Sequence, residues 1–120
     1  MSMPDDACRI LLCEDSPAYA EGLARFLEHD SDLRVVARCT TGEQALRRVR
    51  TANPDLVIMD LELPGIDGVE TTRRLMASRP VPVLVVSSHT GRGSQRAVVA
   101  LAAGAVDARP KSEVPLADPA

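Results

Sequence analysis

Aromatic residues are almost missing from this chain: its 120 residues include no tryptophan, one tyrosine (Tyr19) and one phenylalanine (Phe26). The core must therefore be built from Val, Leu, Ile and Ala, and recognition by stacking on bases or sugars has almost nothing to work with. Lysine is just as scarce, since Arg takes every basic position except Lys111. The three cysteines, Cys8, Cys13 and Cys39, are odd in number and lack the close pairs of a zinc or redox motif, so reduced, buried thiols are expected. Long apolar runs are also lacking. The longest, Ala97 to Val106, is about half of the roughly 20 residues a membrane span needs, and it contains Gly104. No membrane association is expected. Fourteen basic against 17 acidic residues give a net charge of -3, with the basic residues scattered, so direct nucleic-acid binding is not expected either. The start, Met1-Ser2-Met3-Pro4-Asp5-Asp6, is acidic where a secretory leader would be basic and then apolar, which points to a cytoplasmic location.

What is present fits one domain that buries roughly two thirds of its surface on folding. Five short apolar runs recur along the chain: Cys8 to Cys13, Leu33 to Cys39, Asp55 to Asp60, Val83 to Ser87 and Ala105 to Arg109. Three of them contain continuously apolar stretches (Ile10 to Leu12, Leu56 to Met59, Val83 to Val86), the pattern of strands covered on both faces. Between them lie helix signals. Ser16 caps and Pro17 opens a helix to about Glu28, with Leu23, Phe26 and Leu27 on its inner face. Thr41-Gly42-Glu43-Gln44 starts a second, carrying Ala45, Leu46 and Val49 and stopped by Asn53-Pro54. Asp67 begins a third with Leu75 and Met76, and Ser94 a fourth whose Ala97, Val98, Leu101 and Ala102 are predicted to face the sheet until Gly104 ends it. Strict strand–helix alternation implies an α/β doubly wound, flavodoxin-like parallel sheet of five strands in the order 2-1-3-4-5. After Lys111 two prolines in nine residues leave no room for a full fifth helix, so the last helix is short or missing. The domain is read as residues 1–111, with 112–120 as a tail or the start of an interdomain linker. An apolar strip is expected beside strands one and five, favouring self-association, so a homodimer is one expected state.

Ligands of such sheets bind beyond the carboxyl ends of the strands, where strand order reverses. Glu14 and Asp15 end strand one, Asp60 ends strand three, Ser87 ends strand four, and Lys111 follows strand five. Three carboxylates crowded at one point need a cation, and an all-oxygen set suits Mg2+. A carboxylate beside that metal can attack a phosphoryl donor, and the resulting acyl phosphate needs a hydroxyl donor and a positive charge, which Ser87 and Lys111 supply. Read singly, each residue has a plainer role: Asp60 before Pro64-Gly65 as a turn former, Ser87 as a cap, Lys111 as a solvated charge. Their shared edge of the sheet favours the chemical reading.

These residues resemble the receiver domain of bacterial two-component response regulators, from about Ile10 to Lys111. Asp60-Leu61-Glu62-Leu63-Pro64-Gly65-Ile66-Asp67-Gly68 is similar to the segment around that family's phosphoacceptor aspartate, and Glu14-Asp15-Ser16 to its acidic pair. The resemblance implies that Asp60 accepts a phosphoryl group from a histidine kinase. It further implies Mg2+ held by Asp15, Asp60, the backbone carbonyl of Glu62 and, partly through water, Glu14. A narrower similarity, over Arg79 to Ser94 and Ala100 to Asp107, is to the receiver of the chemotaxis protein-glutamate methylesterase. It implies a fused or separate output domain, and any hydrolase activity would belong to that parent. The chain departs from the family pattern at Ala108, where many receivers carry an aromatic switch residue, at Ser112, where a proline is usual, and at the last helix. Two other readings stay open: the receiver of a DNA-binding transcriptional regulator, and an interaction module whose switching is defective.

The remaining motifs have simpler readings. Gly91-Arg92-Gly93-Ser94 starts like a dinucleotide fingerprint but has Arg96 where the third glycine belongs, which makes it a loop. His89 is an exposed loop histidine or a group placed over the phosphoryl site. His29 reads as surface, and Arg47, Arg48 and Arg50 as a solvated helix face. The side chain of Glu62 is expected to point into solvent.

Overall fold

The computed structural model describes residues 6–88 and 94–114, so the expectations for His89, for Gly91-Arg92-Gly93 and for the last six residues fall outside the described residues. The chain runs β1 (Cys8–Cys13), α1 (Pro17–Glu28), β2 (Leu33–Cys39), α2 (Gly42–Ala52), β3 (Leu56–Asp60), α3 (Gly68–Ser78), β4 (Val83–Ser87), α4 (Gln95–Ala102), β5 (Asp107–Pro110) and a short 3-10 turn, Lys111–Glu113. All five strands are parallel, in the order β2-β1-β3-β4-β5. This is the flavodoxin-like arrangement expected from the alternation of signals.

The apolar runs are continuous because both faces of the central strands are covered. Leu11, Cys13, Val57, Met59, Val83 and Val85 point to one face, where Ala45 and Val49 of α2, Leu75 of α3 and Ala100 of α4 meet them. Ile10, Leu12, Ile58 and Val86 point to the other, against Ala20, Leu23 and Ala24 of α1. Each large side chain taken fully out of water contributes about 1.5–3 kcal/mol. The helices start where the sequence places caps: Ser16, Thr41, Asp67 and Ser94 each accept a hydrogen bond from the backbone three residues on. Asn53 ends α2 in the left-handed region at φ 49°, just before Pro54.

Four expectations need correction. β5 begins at Asp107, two residues later than its apolar signal, because Ala105 is buried in the turn before it and Val106 only starts the pairing through its N–H to Val83 O. α4 turns a different face inward: Ala97 and Ala100 are buried, whereas Val98 is 58% exposed and Leu101 is exposed too. From Ala97 on that helix is apolar on every side, so periodicity cannot choose its inner side, and the small residues allow the closest approach to the sheet. Phe26 lies at the outer rim of α1, with Leu23 and Ala24 taking the interior. Finally, among the described residues the large exposed apolar side chains lie on α1, on α4 and just before β5, and none lies on β1. Ile10, Leu12 and Val86 stay buried under α1, Val114 packs partly against the same cluster, and Val98, Val99, Leu101 and Val106 carry the exposure instead.

The two borders of the sheet are irregular. β2 slips register between Ile10 and Leu11 of its neighbour and exposes Arg34 and Arg38. β5 is four residues long, ends on Pro110, and has its exposed Arg109 paired with Asp107 and Glu113.

Candidate functional site

Register brings the acids together. Cys13 pairs with Met59, so the next residues, Glu14 and Asp60, leave the sheet side by side at its carboxyl edge. Val86 pairs with Asp60 and Ser87 with Pro110, which delivers Ser87 and then Lys111 to the same edge. Glu14 and Asp60 are buried, Asp15 is exposed, and carboxylate oxygens of all three lie within 4.8 Å of one another. Lys111 extends its ammonium between the two buried acids, 2.7 Å from Glu14 Oε1 and 3.4 Å from Asp60 Oδ2. Backbone donors hold the other oxygens: Ser16 N–H donates to Glu14 Oε2 at 2.9 Å and Glu62 N–H to Asp60 Oδ1 at 3.1 Å.

Electrostatics follow from this crowding. Burial, and then the neighbouring Glu14, push the Asp60 carboxyl from 3.8 up to about 7, against the opposing pull of the Glu62 N–H and Lys111. Burial lowers the Lys111 pKa, but Glu14 and Asp60 outweigh it and leave the ammonium above its ordinary value. The three carboxylates supply only oxygen donors, one of them open to solvent, a set that fits a hard divalent cation. Cys13 is buried behind them and, through desolvation first, its thiol is pushed far up, so it is no rival ligand or nucleophile.

Gly68, the first residue of α3, closes the floor. Its N–H donates to Leu61 O at 3.0 Å, and a Cβ there would stand 2.3 Å from Asp60 O and 2.8 Å from Leu61 Cα. Neither contact is tolerable and both are backbone. Gly68→Ala is expected to cost about 1–3 kcal/mol in urea unfolding, because α3 or the Asp60 carbonyl must shift. A loss well under 1 kcal/mol would mean that the loop yields freely.

A family model for the response regulator receiver domain matches residues 10–115. The chain belongs to the receiver-domain family. It is 38% identical over 108 residues to a protein-glutamate methylesterase/protein-glutamine glutaminase of Halalkalibacterium halodurans, a match covering 90% of this chain and 31% of that protein. The chain thus spans under a third of this curated relative. Its fold resembles the response regulator domain of Thermotoga maritima CheB, with a TM-score of 0.86, 31% identity, and coverage of 89% of this chain and 80% of that one. It also resembles a LuxR-family two-component response regulator from Aurantimonas, with a TM-score of 0.84, 35% identity, and coverage of 91% and 77%.

Within this receiver domain the structure gathers Glu14, Asp15, Asp60 and Lys111 as the sequence reading expects. Ser87 arrives at the same edge, fully buried, but its hydroxyl is engaged elsewhere, 2.7 Å from both carboxylate oxygens of Glu62. The Glu62 side chain therefore does not point idly into solvent. It folds back over β4 and is ion-paired with Arg96 near the start of α4. Tyr19, in the first turn of α1, is a second neighbour that the sequence does not foretell: its ring centroid is 4.4 Å from the Lys111 ammonium. Arg96 and Tyr19 stand out in the sequence only as a missing glycine and a rare aromatic. Arg47, Arg48 and Arg50 lie exposed on the outer face of α2, and His29 is exposed at the end of α1.

Proposed function

We propose that Asp60 is the phosphoacceptor, taking a phosphoryl group from a phosphohistidine of a sensor kinase. The observation that carries this reading is the buried Asp60 carboxylate set against Glu14 and Lys111, with Asp15 at the solvent side. An Asp60 oxygen attacks phosphorus, the P–N bond to the kinase imidazole breaks, and the imidazole keeps that electron pair and takes up a proton. Attack requires the ionised carboxylate, which the Lys111 ammonium and the Glu62 N–H favour against burial. In the acyl phosphate, Lys111 pairs with one phosphoryl oxygen and Ser87 donates to another. Asp15, Asp60 and the Glu62 carbonyl would hold Mg2+, with Glu14 contributing partly through water, and the ion would neutralise charge developing on the phosphoryl oxygens.

The output regulated in this way is a fused protein-glutamate methylesterase, the activity named for curated relatives of which this chain spans under a third, and the protein works beside its kinase in the cytoplasm. The likeness to a LuxR-family regulator favours a second output, a DNA-binding domain. The full reading frame separates the two.

Acetyl phosphate with Mg2+ is the direct test. The wild-type protein is expected to gain the mass of one phosphoryl group, and Asp60→Asn or chelation by EDTA to prevent it. Full incorporation by Asp60→Asn would remove Asp60 from the role.

A further inference from the structure

We propose that the Glu62 carboxylate is an internal competitor for the phosphoryl group, a latch that holds Ser87 and α4 in the resting arrangement. The inference rests on the reading of Asp60 as phosphoacceptor and adds a regulatory element to that site. Ser87 has one hydroxyl proton, and its oxygen lies 2.7 Å from both Oε1 and Oε2 of Glu62. A proton shared with that carboxylate cannot also serve a phosphoryl oxygen. Glu62 carries the same sign of charge as the arriving group and sits two residues from Asp60, with its own N–H bonded to the Asp60 carboxylate. Phosphorylation therefore has to displace the Glu62 side chain to obtain Ser87.

Arg96 makes this displacement consequential. It is the second residue of α4, and that helix has no acidic residue in its first turn. A cation at a helix amino terminus opposes the helix dipole, so Arg96 is badly placed unless an anion compensates it. Glu62 is that anion. One carboxylate thus ties the end of β4, the loop after β3 and the start of α4 together. Eviction by a phosphoryl group breaks all these ties at once and takes from Arg96, at the positive end of α4, the anion it is paired with. The signal passes from Asp60 to α4 without an aromatic switch residue, a position filled here by Ala108.

Beryllofluoride with Mg2+, which mimics the phosphoryl group without a covalent bond, separates the latch from the site. Glu62→Ala is expected to bind it about tenfold tighter than wild type, the order expected for losing a charge-assisted competitor. Arg96→Ala, which weakens the hold on Glu62, should bind about threefold tighter. In metal-free protein, Glu62→Ala is expected to show several-fold faster amide hydrogen exchange in α4, while β1 and β3 stay unchanged; Arg96→Ala should show less, because it removes the tie and the cation opposing the helix dipole together. Unaltered or weaker beryllofluoride binding by Glu62→Ala, with a wild-type Tm, would overturn the latch; so would unchanged α4 exchange in Glu62→Ala. Failure of the wild-type protein to bind beryllofluoride would instead overturn the phosphoacceptor reading, and the metal-free exchange would still decide whether Glu62 restrains α4.

Discussion

Lys111→Met is expected to cost about 3 kcal/mol of folding stability at pH 7 in metal-free buffer, the scale found when one partner of a buried ion pair is removed. The side chains of Glu14 and Asp60 are 1% and 2% exposed, and the ammonium between them is 17% exposed. Without it, two carboxylates face each other with little water to screen them. Asp60 carries its proton up to about pH 7, and protonation relieves the strain, so the deficit should grow as the pH rises above about 7 and shrink below it. Urea unfolding at about pH 9 and about pH 6 checks both the size and the trend. An equal deficit at the two pH values would show that the lysine acts through packing, for instance against Tyr19, and not through charge. Phosphoryl uptake from acetyl phosphate should fall by at least about 100-fold, the scale of losing one preorganised electrostatic partner.

Asp60→Asn is expected to do the reverse to stability. In the folded protein the Asp60 carboxyl holds its proton up to about pH 7, whereas in the unfolded chain it releases it near 3.8. The folded state therefore binds more protons between those values, and the wild-type protein loses stability as pH rises from about 4 to about 7, then levels off. Asn cannot ionise, so that slope should flatten. At about pH 7.5 the variant should be more stable by roughly 2 kcal/mol, reduced from the full effect because Asn gives up the charge interaction with Lys111. Thermal unfolding across that pH range, with EDTA present, measures it. A variant less stable than wild type at the upper end of the range would contradict this account of the site. Saturating Mg2+ should narrow the difference by favouring the ionised wild-type carboxylate.

The parts of the fold that are legible in the sequence are those where local chemistry and tertiary environment agree. β1, β3 and β4 are covered on both sides, so Ile10-Leu11-Leu12 or Val57-Ile58-Met59 could hardly belong to anything else. Ser16-Pro17 and Thr41 fix helix starts by satisfying particular N–H groups, which is a short-range matter. The start of β5 is hidden because Asp107-Ala108-Arg109-Pro110 is a border strand with little apolar content, while the apolar Ala105-Val106 goes into the turn. The inner face of α4 is hidden because its residues from Ala97 on are all apolar. The acids of the site can be found because sheet topology alone sends the carboxyl ends of strands to one edge. The Glu62–Ser87 and Glu62–Arg96 contacts cannot. They join residues 25 and 34 positions apart through flexible side chains, and no periodicity records such a meeting.

The irregular borders of the sheet have a consequence for association through strands. A flat, unprotected rim would be a template on which a stray strand, from a sibling chain still folding or from a neighbouring homologue, could dock. Pro110 offers no N–H to such a visitor, Arg109 stands guard in its ion pairs, and the slipped register and guanidinium groups of β2 spoil the opposite rim. Among the described residues, neither rim therefore offers a stray strand a regular, unpaired ladder.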